Sequence, residues 1–193
     1  MSMVRTFIVY VADHPGVLNR VSSLFRRRGY NIESLTVGHT HLPGVSRMTV
    51  VVGIDAQGAP LVEANLYKLP EVLHVDDITA VPSLHRELII VKVTASQAVR
   101  AEVMRVVETF RARVLEVTVA SLVIEATGSE EVIDSLIEGV RPYGIIEMTR
   151  TGRVAMTRGN APAFTVTAPE ETGKSWAPFW NSADASVLPP NCS

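Results

Sequence analysis

The sequence has a single cysteine and no long apolar run. Cys192 is the only cysteine among 193 residues, so the chain can form neither an internal disulfide nor a four-cysteine zinc site. No stretch approaches the roughly 18 consecutive apolar residues that a membrane-spanning helix needs. The start of the chain also lacks the basic flank and apolar segment of a signal peptide. We therefore expect a cytoplasmic protein that does not bind membranes.

An excess of positive charge is also missing. The 18 Lys and Arg residues against 20 Asp and Glu give a formal net charge of -2, which argues against a chain that coats nucleic acid or anionic lipid. The run Arg26-Arg27-Arg28 is the one local exception. Proteins that bind RNA through a sheet pair such basic groups with exposed aromatic residues, which the strand around Val50 lacks. We interpret the three arginines as a solvated helix end or a subunit contact.

Recognisable catalytic motifs are absent too. The sequence contains no nucleophile elbow, no P-loop, no Gly-rich dinucleotide motif and no pair of carboxylates at catalytic spacing. His39 and His41 are two residues apart and could share one face of a strand, but no third metal ligand accompanies them. We expect no catalytic residue, no metal and no cofactor in this chain.

Apolar residues make up 47% of the chain, and their spacing predicts a βαββαβ order that occurs twice. The predicted strands are 5–12, 31–39, 46–54, 72–79, 87–95, 114–118, 122–126 and 145–149, with helices from about 15 to 28, 60 to 69, 98 to 110 and 129 to 140. This order indicates an α+β fold made of two ferredoxin-like domains, each with one antiparallel sheet and both helices on one side. Residues 82–85 are the expected linker. Beyond residue 159 the Pro/Ala/Ser-rich composition predicts a mobile tail, in which Trp176, Phe179 and Trp180 could dock on the body or on a partner.

The most suggestive local feature is the segment Asp13-His14-Pro15-Gly16, which opens the first helix directly after a strand. We place Pro15 in the first helical turn, where its missing N–H costs nothing. The free N–H groups at a helix start can receive a carboxylate, and Gly16 keeps that approach open. Asp13 can meet an ammonium group, so the segment suits a free amino acid. An ordinary strand-to-helix turn is the competing interpretation.

Asn31 is the second candidate. It follows Gly29, which suits the left-handed position after a helix, and its amide can donate and accept at once. Taken alone, Asn31 is explained equally by a turn. We expect the two segments to lie at the same end of the first unit, where together they would be more specific than either one.

The chain resembles the small regulatory subunit of acetolactate synthase, also called acetohydroxyacid synthase. The resemblance covers about residues 3 to 159. In the first half it rests on Asp13-His14-Pro15-Gly16-Val17-Leu18, on the run from Leu24 through Gly29-Tyr30-Asn31-Ile32-Glu33-Ser34-Leu35, and on Ser46-Arg47-Met48-Thr49-Val50. In the second half it rests on Arg86-Glu87-Leu88, Arg150-Thr151-Gly152 and residues 155–159. The run from Gly29 is highly specific, whereas many ACT domains share the Asp-x-Pro-Gly loop.

The resemblance implies an ACT domain at 1–81 and a C-terminal ferredoxin-like domain at 86–158. It implies a homodimer through the ACT domains that binds valine, leucine or isoleucine between subunits. The effector residues would be Asp13, His14, Pro15, Gly16, Val17 and Leu18 of one subunit and Asn31 and Ile32 of the other. Some relatives have Asn in place of Asp13, which bears on effector choice.

The resemblance also implies the partner. The catalytic large subunit would carry thiamine diphosphate, a magnesium ion and FAD and catalyse the committed step of branched-chain amino acid biosynthesis. This chain would activate that transferase and confer feedback inhibition by the effector without being an enzyme by itself. The alternative is a free-standing ACT regulator of another enzyme or of transcription.

Overall fold

The computed structural model describes residues 3–55 and 57–159, and the predicted tail with its three aromatic residues lies outside these ranges. The strands are β1 (Met3–Ala12), β2 (Ile32–His39), β3 (Val45–Ile54), β4 (Val72–Asp77), β5 (Ser83–Thr94), β6 (Arg113–Val117), β7 (Ser121–Gly128), β8 (Ile145–Arg150) and β9 (Val154–Thr157). The helices are α1 (Val17–Arg27), α2 (Gly58–Leu66), α3 (Arg100–Thr109) and α4 (Glu130–Val140). None of these helices is long and apolar enough to cross a membrane.

The elements from β1 to β4 form a first unit with one antiparallel sheet in the order β2-β3-β1-β4. The central strand β1 is apolar on both faces, as its sequence predicts, and Phe7 and Ile8 are both buried. Phe7, Val9 and Val11 pack with α1 and α2 in the larger core cluster. Both helices therefore cover one face of the sheet, and Ile8 lies on the opposite face.

The elements from β5 to β8 form a second unit with the matching order β6-β7-β5-β8. Its core joins the inward-facing residues of β5 and β7 to α3 and α4, with Ile89, Val91 and Ile133 fully buried. The α+β fold with two βαββαβ units is confirmed.

The predicted linker at 82–85 differs in the structure. Residues Ser83 to His85 belong to β5, which starts four residues before the predicted strand at 87. The physical reason is β9, a strand that the sequence did not predict, which pairs antiparallel with residues 83–86 and satisfies their backbone groups. The segment joining the units is therefore shorter than expected.

The two units are in direct contact. β9 and the residues before it lie against the face of the first sheet that the helices leave open. Ala155 is buried there and packs with Ile8 and Ile78, while Tyr10 packs at the edge of this small cluster. The open face of the first sheet is thus partly covered by the end of the second unit.

Candidate functional site

The β1–α1 turn from Asp13 to Gly16 is fixed by backbone hydrogen bonds. The Asp13 N–H donates to the Gly44 carbonyl at 2.8 Å, which ties the turn to the β2–β3 hairpin loop. Gly16 has a φ of +89°, a left-handed conformation that side chains other than glycine adopt at a cost. The glycine is therefore required by the shape of the turn as well as leaving the helix start open.

The first turn of α1 is free of capping side chains among the described residues. The helix begins at Val17 with Gly16 as its N-cap, so Pro15 lies in the preceding turn, not in the first helical turn as predicted. The N–H groups of Leu18 and of the residue after it have no acceptor within the helix. The first turn also contains no acidic residue. This helix start therefore presents partial positive charge to solvent.

The side chains around this helix start are partly apolar. Val17 is buried at 5% exposure and anchors the turn to the core, whereas Leu18 is 46% exposed. Asp13 is partly exposed and His14 exposed. A carboxylate that approached these N–H groups would therefore meet an aliphatic surface beside them.

Asn31 and Ile32 lie at the opposite end of the first sheet from Asp13. Ile32 pairs with Val52, and Val52 pairs with Arg5 near the start of β1, whereas Ala12 ends β1 beside Val45. The prediction that both segments share one end of the unit is wrong within a single chain. The physical reason is that α1 runs back along the sheet, so β2 begins where β1 begins.

His39 is a residue near the β1–α1 turn that the sequence did not associate with it. It ends β2, and its Nδ1 atom lies 3.1 Å from Oδ2 of Asp13. Sequence reasoning considered His39 only with His41, as a metal candidate. The described residues contain no group of three or more His, Cys, Asp or Glu side chains placed to hold a metal ion.

A second set of polar contacts joins β2 to the second unit. The Arg153 N–H donates to the Ser34 hydroxyl at 2.9 Å, and the Thr36 hydroxyl donates to the Arg153 carbonyl at 3.1 Å. The Arg153 guanidinium also donates to the Thr6 hydroxyl at 2.9 Å and forms an ion pair with Glu130. We call these contacts the seam. No sequence motif pointed to it, because Arg153 is more than 110 residues along the chain from Ser34, Thr36 and Thr6.

A cavity of about 430 Å³ lies beside the seam, between β2 and the start of α4. Two pairs of opposite charge line it, Arg150 with Glu87 and Arg153 with Glu130. Arg150 donates to Oε2 of Glu87 at 2.5 Å and to Oδ1 of Asp134 at 2.8 Å. Burial alone would lower the pKa of Arg150, but the hydrogen bonds and charges of these two carboxylates outweigh it and raise the pKa. Arg150, Glu87 and Asp134 belong to β8, β5 and α4, so this ion-pair network stabilises the packing within the second unit.

Two family profiles match the chain, one for each unit. A profile described as "AHAS small subunit-like ACT domain" matches residues 7–74. A second, described as "Small subunit of acetolactate synthase", matches residues 86–159. The two matches together leave out the residues beyond 159.

Sequence relatives match about four fifths of the chain. A probable acetolactate synthase small subunit from Archaeoglobus fulgidus is 47% identical over 158 residues, which is 82% of this chain and 99% of the relative. The acetolactate synthase small subunit from Bacillus subtilis is 43% identical over 158 residues, which is 81% of this chain and 92% of the relative.

A solved structure agrees with these relatives. The crystal structure of the acetolactate synthase small subunit from Thermotoga maritima matches with a TM-score of 0.76 at 33% identity, and it covers 82% of this chain and 99% of that one. The arrangement of both units is therefore shared along with the sequence. On these grounds the chain belongs to the family of acetolactate synthase small subunits, with an ACT domain in its N-terminal half.

Proposed function

We propose that two copies of this chain bind a branched-chain amino acid between their ACT domains and thereby regulate the catalytic large subunit of acetolactate synthase. The large subunit, with its thiamine diphosphate, magnesium ion and FAD, would supply the chemistry, and this chain would activate it and make it sensitive to end product. The division into an ACT domain that ends near residue 81 and a C-terminal domain that begins with β5, the homodimer and the cytoplasmic location belong to the same proposal.

One observation carries the proposal, and it concerns the free edge of the first sheet. β2 is the outer strand, and the seam contacts it through the hydroxyls of Ser34 and Thr36. Within the described part of the chain, the backbone groups from Ile32 to Gly38 form no hydrogen bond beyond the pairing with β3. A second copy can therefore pair with this edge, because such an edge is a template for another strand.

The geometry of such a pair brings the two halves of the site together. If two β2 strands run antiparallel across a twofold axis, Ile32 of one copy faces His39 of the other. His39 is the residue that lies beside Asp13. The β1–α1 turn of one copy then adjoins Asn31 of its partner. Because the two segments lie at opposite ends of the sheet in one chain, they can form one site only when they come from different chains.

The chemistry of this combined site fits a small apolar amino acid. The free N–H groups at the start of α1 suit its carboxylate, and the Asp13 carboxylate suits its ammonium group. The amide of Asn31 can bond either group. Leu18, Ile32 and Val37 supply aliphatic surface, since Leu18 and Val37 are each 46% exposed. Valine, leucine and isoleucine meet these demands.

Regulation follows from the position of β2. The strand would contact the ligand at both of its ends, and its middle is tied to the second unit through the seam. A ligand that binds one arrangement of the two copies more tightly shifts the population toward it. The difference in affinity between the arrangements sets the size of the effect on the catalytic partner.

Calorimetry with valine, leucine and isoleucine tests the binding site. We expect heat of binding for the wild-type chain and at least tenfold weaker binding for Asn31→Ala, because a hydrogen-bond partner of the ligand is lost. Gln97→Ala is the matched control, since it removes an exposed amide from the second unit. A folded dimer that gives no heat with any of the three amino acids would contradict the proposal.

The variant Gly16→Asp tests the role of the β1–α1 turn in feedback. We expect it to abolish inhibition and leave activation, because its carboxylate repels that of the ligand. The control is Gly159→Asp, which also has a positive φ and open space around the added side chain. If Gly16→Asp remains fully inhibitable, the turn does not belong to the site. A pull-down with the large subunit separates the proposal from a free-standing regulator.

A further inference from the structure

The arginines at the end of α1 are the sequence feature that the proposed site does not use. They border a groove between the C-terminal ends of α1 and α2, on the helix-covered side of the first sheet and away from the seam. Its volume is about 490 Å³. The groove is lined by Leu24, Arg27, Arg28, Asn65, Lys68 and Leu69. Three of these residues are cationic and none carries a carboxylate.

Two of the cations bond to the side chain of one residue, Asn65. Its side chain is buried, with the residue 7% exposed, and its Nδ2 donates to the Leu61 carbonyl at 2.6 Å. Its Oδ1 accepts from Arg28 Nη2 at 2.9 Å and from Lys68 Nζ at 3.1 Å. Two like charges that share one neutral acceptor repel each other, and an anion beside them relieves that repulsion.

The positive charge of the groove is not neutralised by the ion pairs of the neighbouring residues that the structure describes. Arg27 has no ion-pair partner within residues 3–55 and 57–159. Glu71, which follows the lining residue Leu69 by two positions, is already paired with Arg20 at 2.8 Å. The α1 dipole favours Arg27 in the last helical turn, but it gives no reason for Lys68 to share the amide of Asn65 with an arginine.

The outer surface of α2 continues the groove as an apolar face. Leu61 is 57% exposed and Tyr67 is 46% exposed, and Pro60 and Ala64 beside them are exposed as well. The exposed positions of α3 and α4 carry several charged side chains, as the outer face of a solvated helix normally does. Leu61 is four residues from Asn65 and seven from Lys68, so Leu61 lies on the same side of the helix as the cations, whereas the Tyr67 hydroxyl bonds to the backbone of Val75 in β4.

We infer that this groove and the adjoining face of α2 form the docking surface for an acidic segment of the catalytic large subunit that also carries aliphatic side chains. The inference rests on the proposed function, because it names the place where the proposed partner binds. Charge complementarity selects the acidic groups of the partner, and the apolar face of α2 buries its aliphatic groups. The surface lies opposite the seam, so docking leaves the contact between the two units intact.

The test measures the affinity of the full chain for the acetolactate synthase large subunit of the same organism. The double variant Arg27→Glu/Lys68→Glu reverses the groove charge, and we expect its Kd to rise by about tenfold or more. Salt should weaken the wild-type complex more steeply than the variant complex. The control Arg86→Glu/Arg105→Glu makes the same change in net charge at exposed positions of the second unit and should stay within about twofold of wild type.

The apolar half of the surface has its own variant. Leu61→Ser should weaken the complex by about fivefold, whereas Val132→Ser, an exposed aliphatic residue on α4, should not. Circular dichroism confirms the fold of each variant, and Arg27→Gln replaces the double variant if the latter does not fold.

Each remaining outcome has a definite meaning. Unchanged affinity of the groove variants, with tight wild-type binding, overturns the inference and leaves the proposed function standing. A wild-type chain that does not bind the large subunit overturns both. If light scattering shows that the groove variants change the mass of the free chain, the groove is an interface between copies and the inference is wrong.

Discussion

The two units share one topology but differ at the start of their first helix. In the first unit, Gly16 opens α1 with a left-handed turn and no acid occupies the first helical turn. In the second unit, α3 carries Glu102 in its first turn, and its Arg100 donates to the carbonyls of Ala95, Thr118 and Val119. Glu102 places a negative charge at the second helix start, so of the two helix starts the first is the more favourable for a carboxylate.

The units also differ in the open face of their sheets. The first sheet has Thr6 and Ile8 buried under the segment from Gly152 to Ala155. The outer positions of the second sheet stay partly exposed, as at Ile90 and Lys92. The two units therefore leave different surfaces open: the first leaves the start of its first helix open, and the second leaves the outer face of its sheet partly exposed.

The largest change in the free energy of unfolding should come from disturbing the contact between the units at Gly152. Gly152 has a φ of +79°, and a Cβ there would overlap the Ser34 hydroxyl and lie 3.3 Å from the Ser34 Cβ. We expect Gly152→Ala to lower the free energy of unfolding by about 2 to 3 kcal/mol, measured by urea denaturation. Gly44→Ala has a φ of +72° with open space and should cost only about 1 kcal/mol. Equal losses of unfolding free energy for the two variants would mean that the contact between Gly152 and Ser34 adjusts to the added Cβ at no cost, which would contradict the prediction.

The smallest change in the free energy of unfolding should come from substitutions just after the equivalent helices α1 and α3. Gly29, with a φ of +71°, follows α1, and Arg111, with a φ of +51°, takes the same position after α3. Arg111→Gly should raise the free energy of unfolding by about 0.5 kcal/mol, because a side chain in this conformation is strained. Gly29→Ala should lower it by about 1 kcal/mol. Thermal unfolding of both variants measures the difference, and a destabilised Arg111→Gly would contradict the account.

Local patterns predicted most of the fold, and long-range pairing accounts for what they missed. The helical spacing of Val17, Val21, Leu24 and Phe25 identified α1, and the alternation from Phe7 to Val11 identified β1, because each pattern lies within ten residues or so. β9 has four residues and pairs with β5 far along the chain, so no local period marks it. The start of β5 was missed for the same reason.

The candidate site was predicted by residue type but not by position. The sequence identified Gly16 as a residue that opens a helix start, and the structure gives it the left-handed conformation that such a turn requires. The sequence reasoning placed Asn31 at the same end, because it did not follow the direction of α1 back along the sheet. His39 beside Asp13 was missed because β2 brings it there from 26 positions away along the chain.

The central claim is that each effector site takes its two halves from two different chains. Mixed dimers of a Leu18→Glu copy and an Asn31→Ala copy test it, purified through two different tags and titrated with valine by calorimetry. Each homodimeric variant should lose binding, since Leu18→Glu places a carboxylate at the helix start. The mixed dimer should bind one valine, because one of its two sites then combines the unaltered turn of one chain with the unaltered Asn31 of the other. A mixed dimer that binds no valine, with wild-type dimers binding two, would contradict the shared site.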